Sequence, residues 1–166
     1  MGLENDIQEE AGPLQVATGL ESGAEATIHA MKEIFEDENC EAVLLVDANN
    51  AFNSLNRQVA LHNIQYICPQ FATILINTYL NPSRLMINNE KEILSQEGTT
   101  QGDNLAMSFY ALSTTLMQRN LRSISSVKQV WLADDATGAG KITPLKQWWD
   151  IITAEGKKCG YYVNKS

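Results

Sequence analysis

The stretch that decides how this chain folds is Gln129-Val130-Trp131-Leu132-Ala133-Asp134-Asp135-Ala136. An apolar run ends in two adjacent carboxylates, and small residues follow at Ala136, Gly138, Ala139 and Gly140. The pattern predicts a β-hairpin whose tight turn carries Asp134 and Asp135. Adjacent like charges repel, so the pair needs a reason. A solvated turn is one reading. The other is a divalent cation held between these acids and a third. Mg²⁺ takes hard oxygen ligands and keeps several waters, so two or three carboxylates plus substrate phosphates suffice.

Working outward, a second apolar run ends in an acid. Glu41-Ala42-Val43-Leu44-Leu45-Val46-Asp47 reads as a buried strand with Asp47 at its carboxyl end. Open sheets present ligand groups at such ends. Neighbouring strands would gather Asp47, Asp134 and Asp135 at one sheet edge. That is the layout of a two-metal phosphoryl-transfer site, with cations about 3.5–4 Å apart. Two stretches could wall the substrate. One is the turn after Asp47, where Phe52 stands five residues on. The other is the polar loop from Gly98 to Gly102, whose glycines allow close backbone approach.

The remaining elements follow from periodicity and punctuation. Ser22-Gly23-Ala24-Glu25 has the form of a capping box, and Ala24, Ile28, Met31 and Phe35 keep helical spacing, which predicts a helix over 23–37. A turn or single helical turn covers 48–54. A helix over 55–67 is stopped by Pro69, which starts another that Asn81-Pro82 ends. Residues 84–94 read as a hairpin with an Asn88-Asn89 turn. Asp103 or Asn104 caps a helix striped by Leu105, Phe109, Leu112 and Leu116, with Arg119 and Arg122 solvated at its far end. Thr143-Pro144 starts a helix whose tryptophans, Trp148 and Trp149, read as core and rim; Gly156 ends it. Gly160 to Val163 begins a strand. The expected fold class is α+β, a small, largely antiparallel sheet backed by helices.

Composition bounds the function. The chain has 166 residues, 44% of them hydrophobic, enough for one domain with a core. No apolar run approaches ~18 residues, and the first residues lack the basic and apolar regions of a signal peptide, so no membrane partner is expected. Cys40, Cys68 and Cys159 form no Cys-x-x-Cys pair, which argues for a reducing, intracellular setting in cytoplasm or nucleus. The net charge of −8 counts against a free-standing nucleic-acid binder. It is tolerable for the acidic, metal-holding part of a larger machine. Residues 1–14 read as a flexible lead-in, and 15–166 as the folded domain.

These motifs together resemble the reverse transcriptases of retroelements, of non-LTR or related type. Asp47-x-x-x-Ala51-Phe52 resembles motif A, Gly98-Thr99-Thr100-Gln101-Gly102-Asp103 motif B, and Leu132-Ala133-Asp134-Asp135 motif C. Gly160-Tyr161-Tyr162-Val163-Asn164 is similar to the opening of motif D, and Gln15…Ser22…Ala26…Ile28 to the fingers segment before motif A. The resemblance covers about 15–166 and implies a polymerase palm with partial fingers, acting as an RNA-directed DNA polymerase. It implies Mg²⁺, with Mn²⁺ as a substitute, bound by Asp47 and Asp134, and Asp135 completing the acidic cluster. It further implies an RNA template, a DNA primer and dNTPs as partners. Main chain at Ala48 and Asn49 would face metal and triphosphate. Phe52 would be the steric gate against a ribose 2′-hydroxyl. Gln101 and Gly102 would contact template–primer and incoming nucleotide.

The sequence departs from the family in places. Asn104 stands where proline is usual, Thr99-Thr100 replaces the pair before Gln101, and Asn53 replaces an acid. The lysine closing motif D is not reached, and Gly19-Leu20-Glu21 offers no basic fingers residue. No thumb, RNase H, integrase or endonuclease segment is visible. An alternative is therefore an incomplete, inactive fragment that binds nucleic acid only weakly.

Overall fold

The computed structural model of the protein describes residues 2–18, 22–87, 91–100 and 102–164. Its elements run α1 (Leu3–Ala11), α2 (Gly23–Phe35), β1 (Ala42–Val46), α3 (Ala51–Ser54), α4 (Arg57–Ile67), α5 (Pro69–Tyr79), β2 (Ser83–Ile87), β3 (Lys91–Ser95), α6 (Ala106–Leu121), β4 (Lys128–Leu132), β5 (Asp135–Gly140) and α7 (Ile142–Cys159). The fold is α+β, with small antiparallel sheets backed by helices. β5 lies between β1 and β4 and pairs antiparallel with both. The register sets Val46 opposite Ala136 and Leu132 opposite Asp135. β2 and β3 form a separate antiparallel hairpin.

The sheet is packed from one face by α7. Trp148 and Ile152 are fully buried there. The small residues of β5 make room for them: a Cβ at Gly138 would come within 3.0–3.1 Å of Trp148 and Leu145. Buried Gln129 accepts hydrogen bonds from the indole nitrogens of both Trp131 and Trp148, each at 3.0 Å. An indole N–H inside a core needs such an acceptor. Beside the sheet, α6 runs through the middle of the molecule. Phe109, Tyr110, Leu112 and Leu121 are buried, and so are Ser113, Thr114 and Thr115. Those hydroxyls survive burial by donating to carbonyls of their own helix, Ser113 to Tyr110 at 2.6 Å and Thr115 to Ala111 at 3.1 Å. The apolar stripe foresaw only one buried face of a helix that is buried on most sides.

Several expectations are corrected by tertiary contacts. Within the expected lead-in of 1–14, residues Leu3–Ala11 form a helix, with Ile7 and Ala11 buried. Glu10 pairs with Arg119 at 2.9 Å, so that arginine, solvent-exposed as expected, also ties α1 to α6. Ser22 sits at φ 54 with no capping hydrogen bond, so the capping box does not form although α2 does. Ile28 and Phe35, expected to face the core, are exposed. β1 is half-buried rather than buried throughout. Asp103 does not cap α6 as Ncap; it folds back to accept from its own neighbour, Leu105 N–H, at 2.9 Å. α7 begins before Thr143-Pro144, where the Ile142 N–H donates to Glu41 at 2.9 Å. It runs past Gly156 to a left-handed Gly160 at φ 85. Gly156 is small for another reason: a Cβ there would sit 2.7 Å from the Tyr161 carbonyl oxygen. The strand expected over Gly160–Val163 is reduced to a bridge between Val163 and Ala48. The Asn88-Asn89 turn, Gly19-Leu20-Glu21 and Gln101 lie outside the described residues.

All three cysteines are free thiols. Among the described residues no helix is long and apolar enough to cross a membrane.

Candidate functional site

β1 stops at Val46, so Asp47 is the first residue past its pairing. In the antiparallel register one step beyond Val46–Ala136 lies Asp47–Asp135. Asp135 is also the first residue of β5, and Asp134 precedes it in the turn from β4. Residues far apart in sequence thus share one sheet end. Their charges act on one another. The Asp134 carboxyl is held above its ordinary pKa by partial burial and by the charges of Asp135 and Asp47. Partial burial and Asp47 raise Asp135 in the same direction.

The acids do not form a ready cage. Among the described residues, no three acidic, histidine or cysteine side chains converge to hold a metal ion. The Asp47 carboxylate accepts instead from the Asn164 side-chain amide at 3.0 Å, while the Asn164 backbone N–H donates to the Asp47 carbonyl at 2.8 Å. Successive strand residues also alternate in direction, which separates Asp135 from its neighbour in the turn. The donor set itself is hard oxygen, and Mg²⁺ needs only one or two carboxylates when a triphosphate supplies the rest. On that chemistry the residues fit a divalent cation shared with a phosphate ligand, not a cation caged by protein alone.

Raised carboxyl pKa values carry a sign. Both acids bind their proton more tightly folded than unfolded, so their ionised forms oppose folding. The penalty is absent well below the reference value of 3.8 and grows as pH rises through and above it. Asp135→Asn removes its own share of this penalty and the part of Asp134's that comes from the Asp135 charge. We expect this variant to melt above the parent near neutral pH in chelator, with the two converging in acid. Thermal melts across pH check this, and a lower neutral Tm for the variant contradicts it.

The turn that carries Asp134 is built from afar. Ala133 has φ 55, a left-handed conformation that costs a residue with a Cβ roughly 1–2 kcal/mol. Gln15, buried, grips both backbone groups of Ala133: its amide donates to the carbonyl at 3.1 Å, and its oxygen accepts the N–H at 2.8 Å. The flanking chain is laid along β4, with Val16 N–H to Trp131 O at 2.8 Å and Trp131 N–H to Leu14 O at 2.7 Å. On the far side the Tyr161 hydroxyl donates to the Asp134 carbonyl at 2.7 Å. Gln15→Leu leaves two buried backbone groups unpaired. We expect it to cost about 2–4 kcal/mol, read as a lower urea midpoint at unchanged slope. A midpoint equal to the parent's would show that the clamp is idle.

The second wall forms around α3. Asn50, at φ 50, turns the chain from Asp47 into this short helix. Ala48 is buried, and the exposed Asn49 donates its N–H to the Tyr162 carbonyl at 2.7 Å. Phe52 is half-buried against Tyr110, ring centroids 4.9 Å apart. The loop after β3 is pressed onto this turn: Gly98 N–H donates to Leu55 O at 2.8 Å and Thr99 N–H to Phe52 O at 2.7 Å. Gly98 has φ 73, and a Cβ would lie 2.5 Å from the Phe52 carbonyl oxygen, so glycine is required. Gly102, exposed at φ 87, has open space around it. Two residues fix the loop. The buried Arg57 guanidinium donates to Gly98 O at 2.9 Å, Ser95 O at 2.8 Å and Glu97 O at 2.8 Å. It also lies over the Tyr79 ring, 5.3 Å from its centroid, and the Tyr79 hydroxyl binds Asp103.

An open groove of about 370 Å³ leads to the acids. Ala24, Ile28, Leu45, Val130, Leu132 and Thr137 line it together with Asp47 and Asp135.

The structure thus brings Asp47, Asp134 and Asp135 to one sheet end, with Ala48, Asn49 and Phe52 on the chain that follows Asp47; Gly102 lies on the loop whose Gly98 and Thr99 pack on α3, with no contact to the acids among those described. Sequence reasoning gave no role to Gln15, Arg57, Tyr79, Tyr110 or Asn164. One signal was legible: Gln15 is a polar residue set among apolar neighbours, Leu14 and Val16. The partners of Gln15 and Arg57 stand too far off in sequence for spacing to reveal.

No protein-family model matches the chain, and no curated protein matches it in sequence. Solved structures do match in fold. Apo telomerase from Candida tropicalis superposes with a TM-score of 0.73 at 12% identity, over 98% of this chain and 34% of that one. The same telomerase truncated from its C-terminal domain gives 0.71 at 14% identity, over 98% and 38%. Telomerase from Candida albicans, solved in complex with a TWJ fragment of telomeric RNA, gives 0.62 at 13% identity, over 98% and 33%. The chain therefore spans about a third of the telomerases it matches, and at 12–14% identity the likeness is one of fold alone.

Proposed function

We propose that this chain is the catalytic part of an RNA-directed DNA polymerase, transferring nucleotides from dNTPs to the 3′ end of a primer paired to an RNA template. The observation that carries the reading is the arrival of Asp47 and the Asp134-Asp135 pair at one sheet end from separate strands, where the Asp47 charge raises the proton affinity of both Asp134 and Asp135. Divalent cations, Mg²⁺ or Mn²⁺, would supply the activation of the attacking hydroxyl and the neutralisation of the leaving pyrophosphate. Asp47 and Asp134 would hold them, with Asp135 adding negative charge beside the site. Ala48 would offer main chain to the triphosphate, and Asn49 would do so once its N–H leaves the Tyr162 carbonyl. Phe52, propped by Tyr110, would exclude a 2′-hydroxyl and so favour dNTPs. Gly102, with open space about it, and Gln101 beside it would meet the template–primer and the incoming base. The telomerase folds support the same class of chemistry, and one of them carries RNA. A retroelement origin rests on the sequence motifs alone.

Primer extension tests the proposal. The chain, given a DNA primer annealed to RNA, dNTPs and Mg²⁺, is expected to lengthen the primer, and chelation to stop it. Extension that continues in chelator, or none at all with either cation, contradicts it.

One observation favours a second reading, an inactive fragment. Phosphate contacts by Lys and Arg carry most nucleic-acid affinity, and the net charge is −8. A gel shift at low salt separates the two readings: retention of the primed duplex refutes the inactive fragment.

A further inference from the structure

The short segment that leaves α7 touches both chains that carry the acids. Gly160, at φ 85, turns it there, and no side chain fits at that position because a Cβ would overlap the Ser54 carbonyl oxygen. The next residue, Tyr161, is buried and donates its hydroxyl to the Asp134 carbonyl at 2.7 Å. Val163 then forms an antiparallel bridge with Ala48. Asn164 meets Asp47 twice. Its backbone N–H donates to the Asp47 carbonyl at 2.8 Å, and its side-chain amide donates to one carboxylate oxygen, Oδ2, at 3.0 Å. The backbone bond is open to any residue but proline. The side-chain bond needs a donor of this length, and among the described residues it is the only hydrogen bond to the Asp47 carboxylate.

A carboxylate with both oxygens open can grip a cation through both. Ca²⁺ accepts that arrangement, because it takes about six to eight oxygens in a flexible geometry. Mg²⁺ demands near-ideal octahedral positions, and the two oxygens of one carboxylate stand too close together to fill two of them. Asn164 occupies part of the acceptor capacity of Oδ2 and sets the partial positive charge of its N–H beside that oxygen. A cation is thereby steered to the other oxygen, Oδ1.

We infer that Asn164 is a positioning residue that holds Asp47 to ligation through one oxygen and so biases the site toward small octahedral cations, Mg²⁺ and Mn²⁺, over Ca²⁺. The inference rests on the proposed cation site and adds to it the choice of metal. Hydrogen-bond partners of ligating carboxylates typically change metal affinity by about 10–100-fold. Asp47 and Asn164 are both exposed, and water replaces part of a lost bond there, so the low end, about tenfold, is expected.

Asn164→Ala and Asn164→Leu test it. Both keep the backbone N–H on the Asp47 carbonyl, and leucine also keeps the bulk of the asparagine. The dissociation constant of a dNTP is measured by calorimetry at saturating Mn²⁺ and again at saturating Ca²⁺, so that the cation always arrives with its phosphates. Thermal melts in chelator check the fold. The nucleotide's own preference between the two cations is common to parent and variants and cancels. The ratio of the two constants, Ca²⁺ over Mn²⁺, is expected to fall about tenfold in both variants, at an unchanged melting temperature. A structural role alone would weaken binding with both cations alike and keep the ratio. An unchanged ratio in either variant overturns the inference while the proposed site stands. If the parent binds the nucleotide with neither cation, both fall.

Discussion

Asp47→Asn is expected to abolish primer extension, lowering the rate by about three orders of magnitude or more while leaving the fold intact. The loss follows from charge. An amide keeps the shape of the side chain but offers a cation no negative oxygen, and losing about 4 kcal/mol of transition-state stabilisation is about a thousandfold in rate. The fold should survive because the contacts of Asp47 tolerate the change. Its carbonyl still accepts the Asn164 N–H, and an amide oxygen can still accept from the Asn164 side chain. Removing this charge also relieves Asp134 and Asp135, whose proton affinities it raises. The melting temperature in chelator should therefore hold or rise. Steady-state extension and a thermal melt on the same preparation check both halves. A variant that extends primers at the parent's rate, or one that unfolds, defeats this account of Asp47.

Arg57→Ala is expected to be the most damaging single change to stability, at about 3–4 kcal/mol. The side chain is 4% exposed, and it ties α4 to the chain leaving β3. Its truncation strips a charged donor from the carbonyls of Ser95, Glu97 and Gly98. Hydrogen bonds to charged groups contribute about 1.5–3 kcal/mol each, but the carbonyls of half-buried Ser95 and exposed Glu97 regain part of this from water, while that of buried Gly98 does not. The backbone N–H of residue 57 would still donate to Glu97, as it does at 2.9 Å. Lysine should not rescue the variant, because one ammonium cannot reproduce a planar fork reaching several carbonyls. The damage should be local as well as global. The amides of Gly98 and Thr99, which donate to Leu55 and Phe52, should lose protection in hydrogen exchange before those of α7. Urea melts and residue-resolved exchange measure both. Unchanged protection at Gly98 would show that Arg57 does not hold the loop.

These two residues mark how far the sequence could be read. The place of Asp47 just past β1 was legible because a run of aliphatic residues stops at an acid, and the hairpin at Asp134-Asp135 was legible because an apolar run gives way there to acids and small residues. The β2–β3 hairpin, the breaks at Pro69 and the α+β class likewise follow from local signals: turn residues, proline chemistry and period. Arg57 was not legible. It follows Asn56, whose side chain caps α4 by accepting from Val59 N–H at 3.0 Å, and nothing local says that its own side chain turns inward. The helix Leu3–Ala11 escaped notice for a related reason. Its acidic composition reads as solvated, and only contacts such as Glu10–Arg119 give it a place. The exposed Ile28 and Phe35 show the converse: helical spacing marks a face as apolar without saying what covers it. Gly156 and Gly160 exchanged roles because a helix stop and a close approach both select glycine.

The central claim is that Asp47 and Asp134 act as one cation site although one follows β1 and the other lies in the turn between β4 and β5. Electron paramagnetic resonance of Mn²⁺ added with a dNTP measures this directly, on the parent, Asp47→Asn, Asp134→Asn and the double variant. Each single change is expected to remove most of the bound signal, and the double change to remove no more than either alone. Two losses that simply add, or a signal indifferent to both substitutions, would mean that the two aspartates do not share a cation.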